Sequence, residues 1–248
     1  MVPNINKTEM YVDDRLRYVY CLISKVACTS WKRVTLMLTG RMRVNRTTDL
    51  RKRLIHDVVF SDKYLDRLHV SYNPEEIQHR LDNYFKFMFV RDPFERLVSA
   101  YRELFVKQNR PYHRTHGRRI VRMYRDNSTN ESSTVGIDVT FEEFVRYILD
   151  PIARRELRVV DRHWRSFHET CHPCYVRYDF IGKFETLQED AAYVIKRLGG
   201  GVEFPNDPDN SWMRSRELVV KMRRNISDAT YRRLRELYAL DYELFDYS

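Results

Sequence analysis

Two short segments of the chain carry residue types that bind a phosphate or sulfate group. Lys25 and the hydroxyls of Thr29 and Ser30 follow one apolar run and open a helical pattern. Arg91 follows a second apolar run, and Ser99 comes eight residues later, just over two helical turns on. A turn from a strand into a helix presents backbone N–H groups and the positive end of the helix dipole, which together bind anions. Taken alone, Arg91 could instead pair with a carboxylate while Ser99 only packs.

Three strand-to-helix units must position these side chains. Runs of strand-forming residues alternate with segments in which apolar residues recur every three or four positions, the period of a helix. The pattern indicates an α/β fold with a central, mainly parallel sheet flanked by helices, whose ligands bind beyond the carboxyl ends of the strands. The predicted strands are residues 18–23, 85–90 and 178–182. The first predicted helix includes Trp31, Val34 and Leu38 on one face, and the others are residues 94–105, 141–149, 188–198 and 228–240.

Capping signals mark the starts of four of these helices, and one of them is Ser227 before the helix over residues 228–240. Ser30 or Thr29 can cap the first helix, and Gly40 stands where a left-handed stop is expected. Asp92 is a suitable N-cap for the second helix, and the glutamate three residues later completes an acidic capping box. Thr186 has a glutamate at the same spacing and predicts a capping box for the helix over residues 188–198.

The composition excludes several classes of protein. The 248 residues carry a net charge of +9, because 34 Arg and 10 Lys outnumber 35 acidic residues, and this balance favours a polyanionic partner. With seven glycines and neither GxxxxGK[ST] nor GxGxxG, the chain is a poor candidate for a standard P-loop kinase or a Rossmann dehydrogenase. The 43% hydrophobic content excludes disorder, and the sequence as given has no apolar run of membrane-spanning length. We expect one domain over residues 1–248, with 1–17 as the remnant of a stem.

Five N-x-[ST] sequons indicate a chain made for the secretory lumen, since 11 asparagines would give only one or two by chance. Such a protein normally enters through an N-terminal signal or anchor. The sequence as given lacks one, which suggests a trimmed sequence or an incomplete gene model. The sequons begin at Asn6, Asn45, Asn127, Asn130 and Asn225.

The same segments resemble a known family, the Golgi carbohydrate sulfotransferases. Residues 24–33 (SKVACTSWKR) resemble the 5′-phosphosulfate loop of the chondroitin and dermatan 4-sulfotransferase and natural-killer-epitope sulfotransferase branch, and residues 91–101 (RDPFERLVSAY) resemble its 3′-phosphate motif. Further matches at residues 163–164, 171–174 and 178–187 extend the likeness to the aromatic tail. In the first motif, two serines replace the usual Pro and Asn, for which we expect altered affinity rather than lost function.

The resemblance implies a P-loop-like sulfotransferase fold that takes 3′-phosphoadenosine-5′-phosphosulfate (PAPS) as co-substrate, without a metal. Lys25, Thr29 and Ser30 would hold the 5′-phosphosulfate, and Arg91 and Ser99 the 3′-phosphate. The full donor-binding set that we expect is Lys25, Val26, Ala27, Cys28, Thr29, Ser30, Trp31, Arg91, Asp92, Arg96 and Ser99.

The acceptor implied by the resemblance is an anionic glycan in the Golgi lumen, with membrane contact only through an N-terminal anchor absent from this sequence. Position 4 of N-acetylgalactosamine in chondroitin or dermatan is the preferred acceptor hydroxyl. Terminal glucuronate is an alternative acceptor, and a noncatalytic glycosaminoglycan-binding protein is an alternative of another class. A nucleic-acid partner is disfavoured by the sequons and by the lack of a recognisable nucleic-acid-binding motif.

Catalysis would need a positive charge that stabilises the leaving oxygen and a base that accepts the proton of the acceptor hydroxyl. Lys25 supplies the charge. His56, between the two motifs, is the preferred base, and His163 is the second choice, although a packed histidine beside Trp164 is equally consistent with its sequence. Glu95 is explained by capping alone. Surface or structural positions are expected for His69, His79 and His168.

A basic segment and four cysteines complete the candidates. Residues 104–125 contain seven Lys and Arg residues and no acid, so they could contact the glycan or form a solvated helix face. The CxxC pair at 171–174 lacks further zinc ligands, which favours a local disulfide or structural thiols, and Cys21 and Cys28 could pair or stay reduced. The proposed acceptor-binding residues are Arg110, Arg114, Arg118, Arg119 and Arg122.

Overall fold

The computed structural model describes residues 9–42, 55, 64–107, 109–125, 135–156, 160–206 and 212–248. The chain divides into two compact units. Among the described residues, no helix has the length and apolar character needed to cross a membrane. Unit 1 comprises Met1–Arg91 and Phe167–Ser211, and unit 2 comprises Asp92–Ser166 and Trp212–Ser248.

Unit 1 contains a five-stranded sheet in the order β3-β1-β2-β4-β5. The pairs β2–β4 and β4–β5 are parallel, whereas β1 is antiparallel to both β2 and β3. Since β3 therefore points the same way as β2, the sheet is mainly parallel, as predicted from the sequence. The strands are β1 (Met10–Asp13), β2 (Tyr18–Cys21), β3 (Asp66–Arg67), β4 (Phe85–Val90) and β5 (Phe180–Lys183). Strand β1 lies within the stretch that we expected to be a stem remnant.

Helices are numbered along the whole chain, and the first of them packs on the sheet through Trp31. This side chain is fully buried, with ring centroids 4.8 Å from Phe89, 5.1 Å from Phe204 and 5.2 Å from Phe87. Gly182 in β5 is required by the same core, because a Cβ there would lie 2.3 Å from the Phe89 ring. The helices of unit 1 are α1 (Cys28–Leu38), α2 (Leu68–Ser71), α3 (Pro74–Asn83), α9 (Phe167–Cys171) and α10 (Leu187–Arg197).

Unit 2 is helical in its described residues and includes two π-helical turns, named π1 and π2. Its core is aromatic: Tyr101 packs against Phe141 and Phe144, and Phe144 packs against Trp164. The elements are α4 (Pro93–Tyr101), π1 (Arg102–Val106), α5 (Arg110–Tyr112), π2 (His113–Gly117), α6 (Arg118–Tyr124), α7 (Phe141–Leu149), α8 (Pro151–Glu156), α11 (Trp212–Arg224), α12 (Asp228–Leu237) and α13 (Ala239–Leu244).

The structure confirms the cap predicted for α4 and contradicts those predicted for α1 and α10. The Asp92 carboxylate accepts the Glu95 amide at 2.8 Å, which confirms the cap of α4. The hydroxyl cap predicted for α1 is wrong: Ala27 takes the N-cap position with a left-handed backbone and makes no side-chain cap bond. The box predicted for α10 is also wrong, because the Thr186 hydroxyl donates to the Asp190 carboxylate instead of capping the helix.

The cysteines pair across a long sequence separation. Cys21, at the end of β2, forms a disulfide with Cys171, at the end of α9, whereas Cys28 and Cys174 are reduced. Neither of the two local pairings considered from the sequence is present. The disulfide fixes the start of the loop that leads from β2 into α1.

Candidate functional site

The two anion-binding segments leave the sheet at the same edge. Strands β2 and β4 are parallel neighbours, with Cys21 opposite Met88. Lys25 follows Cys21 by four residues, and Arg91 follows Met88 by three. Both segments therefore lie beyond the carboxyl ends of adjacent parallel strands, where α/β sheets bind ligands. This agrees with the sequence-based expectation that the two turns border one site.

The loop between β2 and α1 has a backbone shaped to present amide groups. Lys25 has φ 71° and Ala27 has φ 52°, so two residues with side chains adopt the left-handed region on either side of Val26. Such a conformation costs a non-glycine residue about 1–2 kcal/mol, and it forms concavities in which successive N–H groups converge on an anion. Strain of this kind is retained at functional sites.

Helix α1 adds its N-terminal end to that loop. Its first turn contains no acidic side chain, so the positive end of the dipole is not neutralised there. The Thr29 side chain is half-buried and Ser30 is buried, close to the first amides of the helix. Of the expected donor-binding residues, Val26, Ala27 and Cys28 contribute backbone at this position. Trp31 is fully buried in the core, and its ring positions the helix instead of facing a ligand.

Arg91 is a buried cation immediately after β4. Its side chain is 3% exposed, and the guanidinium carbon lies 4.1 Å from the centroid of the Phe184 ring. Phe184 follows the neighbouring strand β5 and donates its amide to Val90 at 2.8 Å. Phe184 lies in the 178–187 segment, one of the sequence matches to the family, and its ring contacts the Arg91 guanidinium. A guanidinium held in this way suits an oxyanion with planar, paired acceptor atoms.

Three further basic side chains at this end of the sheet were not assigned from the sequence. Lys32 and Arg33 in α1 are buried, with 6% and 9% exposure. The Lys32 ammonium and the Arg67 guanidinium both lie over the Tyr11 ring, at 5.5 Å and 6.0 Å from its centroid. The adjacent Lys32 and Arg33 after Trp31 could have been noticed in the sequence as a basic pair. Arg67 could not, because it lies on a two-residue strand that has no detectable pattern.

His69 also lies at this edge, which the sequence did not indicate. Arg67 in β3 is paired with Tyr11, and Tyr11 is paired with Tyr20 of β2. Because β3 and β2 point the same way, the residues after Arg67 leave the same edge of the sheet as the loop that contains Lys25, with β1 between the two strands. The His69 Nδ1 is buried without a hydrogen-bond partner in the part of the chain that the structure describes. Burial, together with Arg67, lowers the pKa of His69 and favours the neutral, proton-accepting ring.

The second motif continues into unit 2 with α4. Asp92, Glu95 and Ser99 are half-buried and share one helical face by their spacing. Arg96 is only 2% exposed and points elsewhere: it donates to the carbonyl oxygens of residues 162 and 165, at 3.0 and 2.7 Å. Within unit 2, Asp92 therefore acts as a cap and Arg96 holds a turn of backbone.

The basic segment of unit 2 is exposed in part. Arg110, Arg114 and Arg122 are exposed, whereas Arg118 and Arg119 are half-buried. The last arginine of the run, at position 125, is bound to the carboxylates of residues 138 and 143. The expected acceptor-binding set thus contains three side chains on the surface and two that are partly covered.

The second-choice base, His163, lies in a network within unit 2. Its Nδ1 is 2.8 Å from the Asp161 carboxylate and 2.9 Å from the Tyr112 hydroxyl. His56, the preferred base, lies outside the described residues, as do four of the five sequons. The remaining sequon residue, Asn225, is exposed in the turn between α11 and α12. Among the described residues, no group of three or more His, Cys, Asp or Glu side chains is arranged to hold a metal ion.

Comparison with known proteins gives consistent matches over the whole chain. Residues 8–248 match the model of the family described as the sulfotransferase family. Carbohydrate sulfotransferase 11 of Rattus norvegicus is 41% identical over 251 residues, covering 100% of this chain and 69% of that protein. Carbohydrate sulfotransferase 14 of Mus musculus is 39% identical over 242 residues (95% and 59%), and carbohydrate sulfotransferase 9 of Homo sapiens is 37% identical over 247 residues (97% and 53%). No solved structure matches the chain significantly.

Proposed function

This chain belongs to the sulfotransferase family, and on that premise we propose that it transfers a sulfuryl group from PAPS to a hydroxyl of an anionic glycan. The observation that carries the proposal is the convergence of the Lys25 loop and Arg91 beyond two adjacent parallel strands. Its relatives are carbohydrate sulfotransferases, and their names support a glycan as the acceptor.

The residues at this edge fit a donor with two anionic ends. The left-handed backbone at Lys25 and Ala27, with the start of α1, provides amide groups for a 5′-phosphosulfate. Arg91, stacked on Phe184, would hold the 3′-phosphate. Ser99 is the second residue of that motif in the sequence. The donor would supply an activated sulfuryl group with a phosphate as leaving group, and no metal is needed for such a transfer.

Catalysis would rest on positioning and on charge. Sulfuryl transfer resembles phosphoryl transfer, in which the protein aligns the two oxygens and stabilises charge on the equatorial and leaving oxygens. Lys25 would stabilise the leaving oxygen. Lys32 and Arg33 are buried in helix α1, close to its beginning.

A base must accept the proton of the acceptor hydroxyl, and three histidines compete for that role. His56 and His163 are the candidates from the sequence. The sheet topology adds His69, because it places this ring at the same edge as Lys25 and Arg91 and keeps its Nδ1 without a partner within the described ranges. Replacing each in turn by Ala separates them: the base variant loses turnover while its affinity for 3′,5′-ADP stays unchanged.

We place the preferred acceptor hydroxyl at position 4 of N-acetylgalactosamine in chondroitin or dermatan, and the protein in the Golgi lumen. The exposed arginines Arg110, Arg114 and Arg122 support an anionic polymer as acceptor. The sequon at Asn225, exposed on the surface, agrees with passage through the secretory pathway. We call the sheet edge that contains the Lys25 loop and Arg91 the donor edge. Sulfation of terminal glucuronate would use the same donor edge and differs only in the acceptor.

Labelled PAPS offered with unsulfated chondroitin, dermatan, desulfated heparan and a glucuronate-terminated oligosaccharide tests the proposal. Disaccharide analysis of the product identifies the labelled position, and we expect label at position 4 of galactosamine. Label on glucuronate would replace the acceptor assignment. If no acceptor were labelled and 3′,5′-ADP did not stabilise the protein against unfolding, the protein would be a glycan-binding protein without enzymatic activity.

A further inference from the structure

We propose that Phe184 is a positioning residue for Arg91, and that its ring makes the donor edge selective for nucleotides that carry a 3′-phosphate. The inference rests on the proposed function, which assigns the 3′-phosphate to Arg91. It goes further by naming a second residue, on a different strand, that controls this selectivity by acting through the Arg91 guanidinium.

The pairing of two strands brings these residues side by side. Val90, the last residue of β4, is the register partner of Lys183, the last residue of β5. Arg91 and Phe184 are therefore the next residues on two parallel neighbours. The Phe184 amide donates to the Val90 carbonyl oxygen at 2.8 Å, which ties Phe184 to the residue that precedes Arg91.

The Phe184 ring covers one face of the Arg91 guanidinium. The guanidinium carbon lies 4.1 Å from the ring centroid, and each of the two residues is only 3% exposed. The attraction between a cation and an aromatic face is strongest when water is excluded in this way. Since the N–H groups of a guanidinium lie in its plane, a ring against its face fixes the plane in which they point. A fixed plane favours paired hydrogen bonds to one phosphate.

The loop that carries Phe184 is itself fixed, by the Asp190 carboxylate of α10. Asp190 accepts the Lys183 amide at 2.9 Å and the Thr186 hydroxyl at 2.6 Å. These two donors lie on either side of Phe184 in the sequence. Hydrogen bonds to an ionised carboxylate are stronger than those to a neutral acceptor, so the backbone around Phe184 is held at both ends.

The other end of the same sheet contains an arginine–phenylalanine pair in a different setting. The Arg197 guanidinium carbon lies 5.3 Å from the centroid of the Phe85 ring. Arg197 is exposed and Phe85 is half-buried. Phe85 is the first residue of β4, whereas Arg91 follows its last residue, so this pair lies away from the donor edge. It provides a contact of the same type for comparison.

Two nucleotides isolate the contribution of Arg91. 3′,5′-ADP and 5′-AMP share the adenosine and the 5′-phosphate and differ only in the 3′-phosphate. The ratio of their Kd values therefore measures what the 3′-phosphate adds to binding. A donor group that is already ordered binds its ligand more tightly than one that must be ordered on binding. If Phe184 orders Arg91, loss of its ring weakens the binding of 3′,5′-ADP alone.

The test is Phe184→Leu, which removes the aromatic face and keeps an apolar side chain. We expect the Kd for 3′,5′-ADP, measured by titration calorimetry, to rise about tenfold, as for the loss of one desolvated contact between a cation and a ring. The Kd for 5′-AMP should stay within about twofold of the wild-type value, because the Lys25 loop is unchanged. A merely structural role for Phe184 would weaken the binding of both nucleotides by the same factor.

Two further variants serve as controls. Phe184→Tyr keeps the aromatic face and should keep the ratio of the two Kd values within about twofold of wild type. Phe85→Leu is the matched control, because it removes the ring from the pair at the opposite end of the sheet. It should leave both Kd values unchanged.

Asp190→Asn provides a milder test that leaves the buried ring in place, and it decides the question if Phe184→Leu fails to fold. Removing the charge weakens the hold on the loop around Phe184, and we expect the Kd for 3′,5′-ADP alone to rise about threefold. An unchanged ratio of Kd values in this variant would then overturn the inference.

The wild-type protein separates failure of the inference from failure of the proposed function. A wild-type protein that prefers 3′,5′-ADP, with a folded Phe184→Leu protein that retains the same preference, would overturn the inference alone. Equal loss of both nucleotides in Phe184→Leu would also overturn it. A wild-type protein that binds 3′,5′-ADP and 5′-AMP equally would refute the role proposed for Arg91, and the inference with it.

Discussion

The donor edge of unit 1 and the basic segment of unit 2 are both cationic, but they are built in opposite ways. At the donor edge, Arg91 is 3% exposed and the loop relies on backbone conformation, with left-handed residues at Lys25 and Ala27. In unit 2, Arg110 and Arg114 are exposed side chains on a short helical segment. Buried groups suit a ligand of one fixed shape, whereas exposed charges suit a polymer of variable length and sulfation.

The largest effect is expected from removing the Lys25 charge at the donor edge. Lys25→Ala should lower kcat by about 10²–10³, the usual cost of losing one group that stabilises charge in the transition state. Initial rates with saturating PAPS and acceptor measure the effect. Lys196→Ala is the control, since Lys196 is an exposed lysine in the last turn of α10, and its rate should be unchanged. A Lys25→Ala enzyme within threefold of wild-type kcat would show that Lys25 takes no part in the reaction.

Ionic strength distinguishes the two regions without mutation. Exposed charges are screened by salt and buried ones much less. If Arg110 and Arg114 provide two contacts to a polyanion, the acceptor KM should rise about tenfold between about 50 and 200 mM salt, by counterion release of the kind known for nucleic acids. The Kd for 3′,5′-ADP should rise less, as measured by calorimetry over the same range. Equal salt dependence for both ligands would contradict the distinction between buried and exposed sites.

The smallest expected effect tests the backbone of the donor loop. Ala27→Gly should raise the free energy of unfolding by about 1 kcal/mol, because glycine adopts φ 52° without the penalty that alanine meets. Ala192→Gly, at an exposed position within α10, should lower it by about the same amount. Urea denaturation measures both changes. If Ala27→Gly lowered the free energy of unfolding, as Ala192→Gly should, the backbone at Ala27 would not be strained.

The sequence predicted the parts of the fold in which local pattern and tertiary structure agree. Strand β4 and helix α7 have the predicted bounds, and the Asp92 cap of α4 is present. These elements combine a clear periodicity with an unambiguous start. The parallel order of β2, β4 and β5 followed from the alternation of strands and helices, and it was enough to place Lys25 and Arg91 at one edge.

Other features depend on contacts that the sequence does not reveal. Strands β1 and β3 have four and two residues, too few for a pattern, and His69 was therefore expected at a surface or structural position. The Cys21–Cys171 disulfide spans 150 residues. Arg96 resembled a donor-binding residue because it lies in the second motif, but the helical turn directs it into unit 2, where backbone carbonyls bind it.

The central claim is that the edge beyond β2 and β4 binds a nucleotide anion through Arg91, and thermal unfolding with 3′,5′-ADP tests it most directly. At about 100 times the Kd, the nucleotide should raise the Tm of the wild-type protein by about 5 °C or more. The Arg91→Ala protein should still unfold cooperatively, with no such rise at the same concentration. A wild-type protein that the nucleotide does not stabilise, or an Arg91→Ala protein that it stabilises equally, would contradict the account.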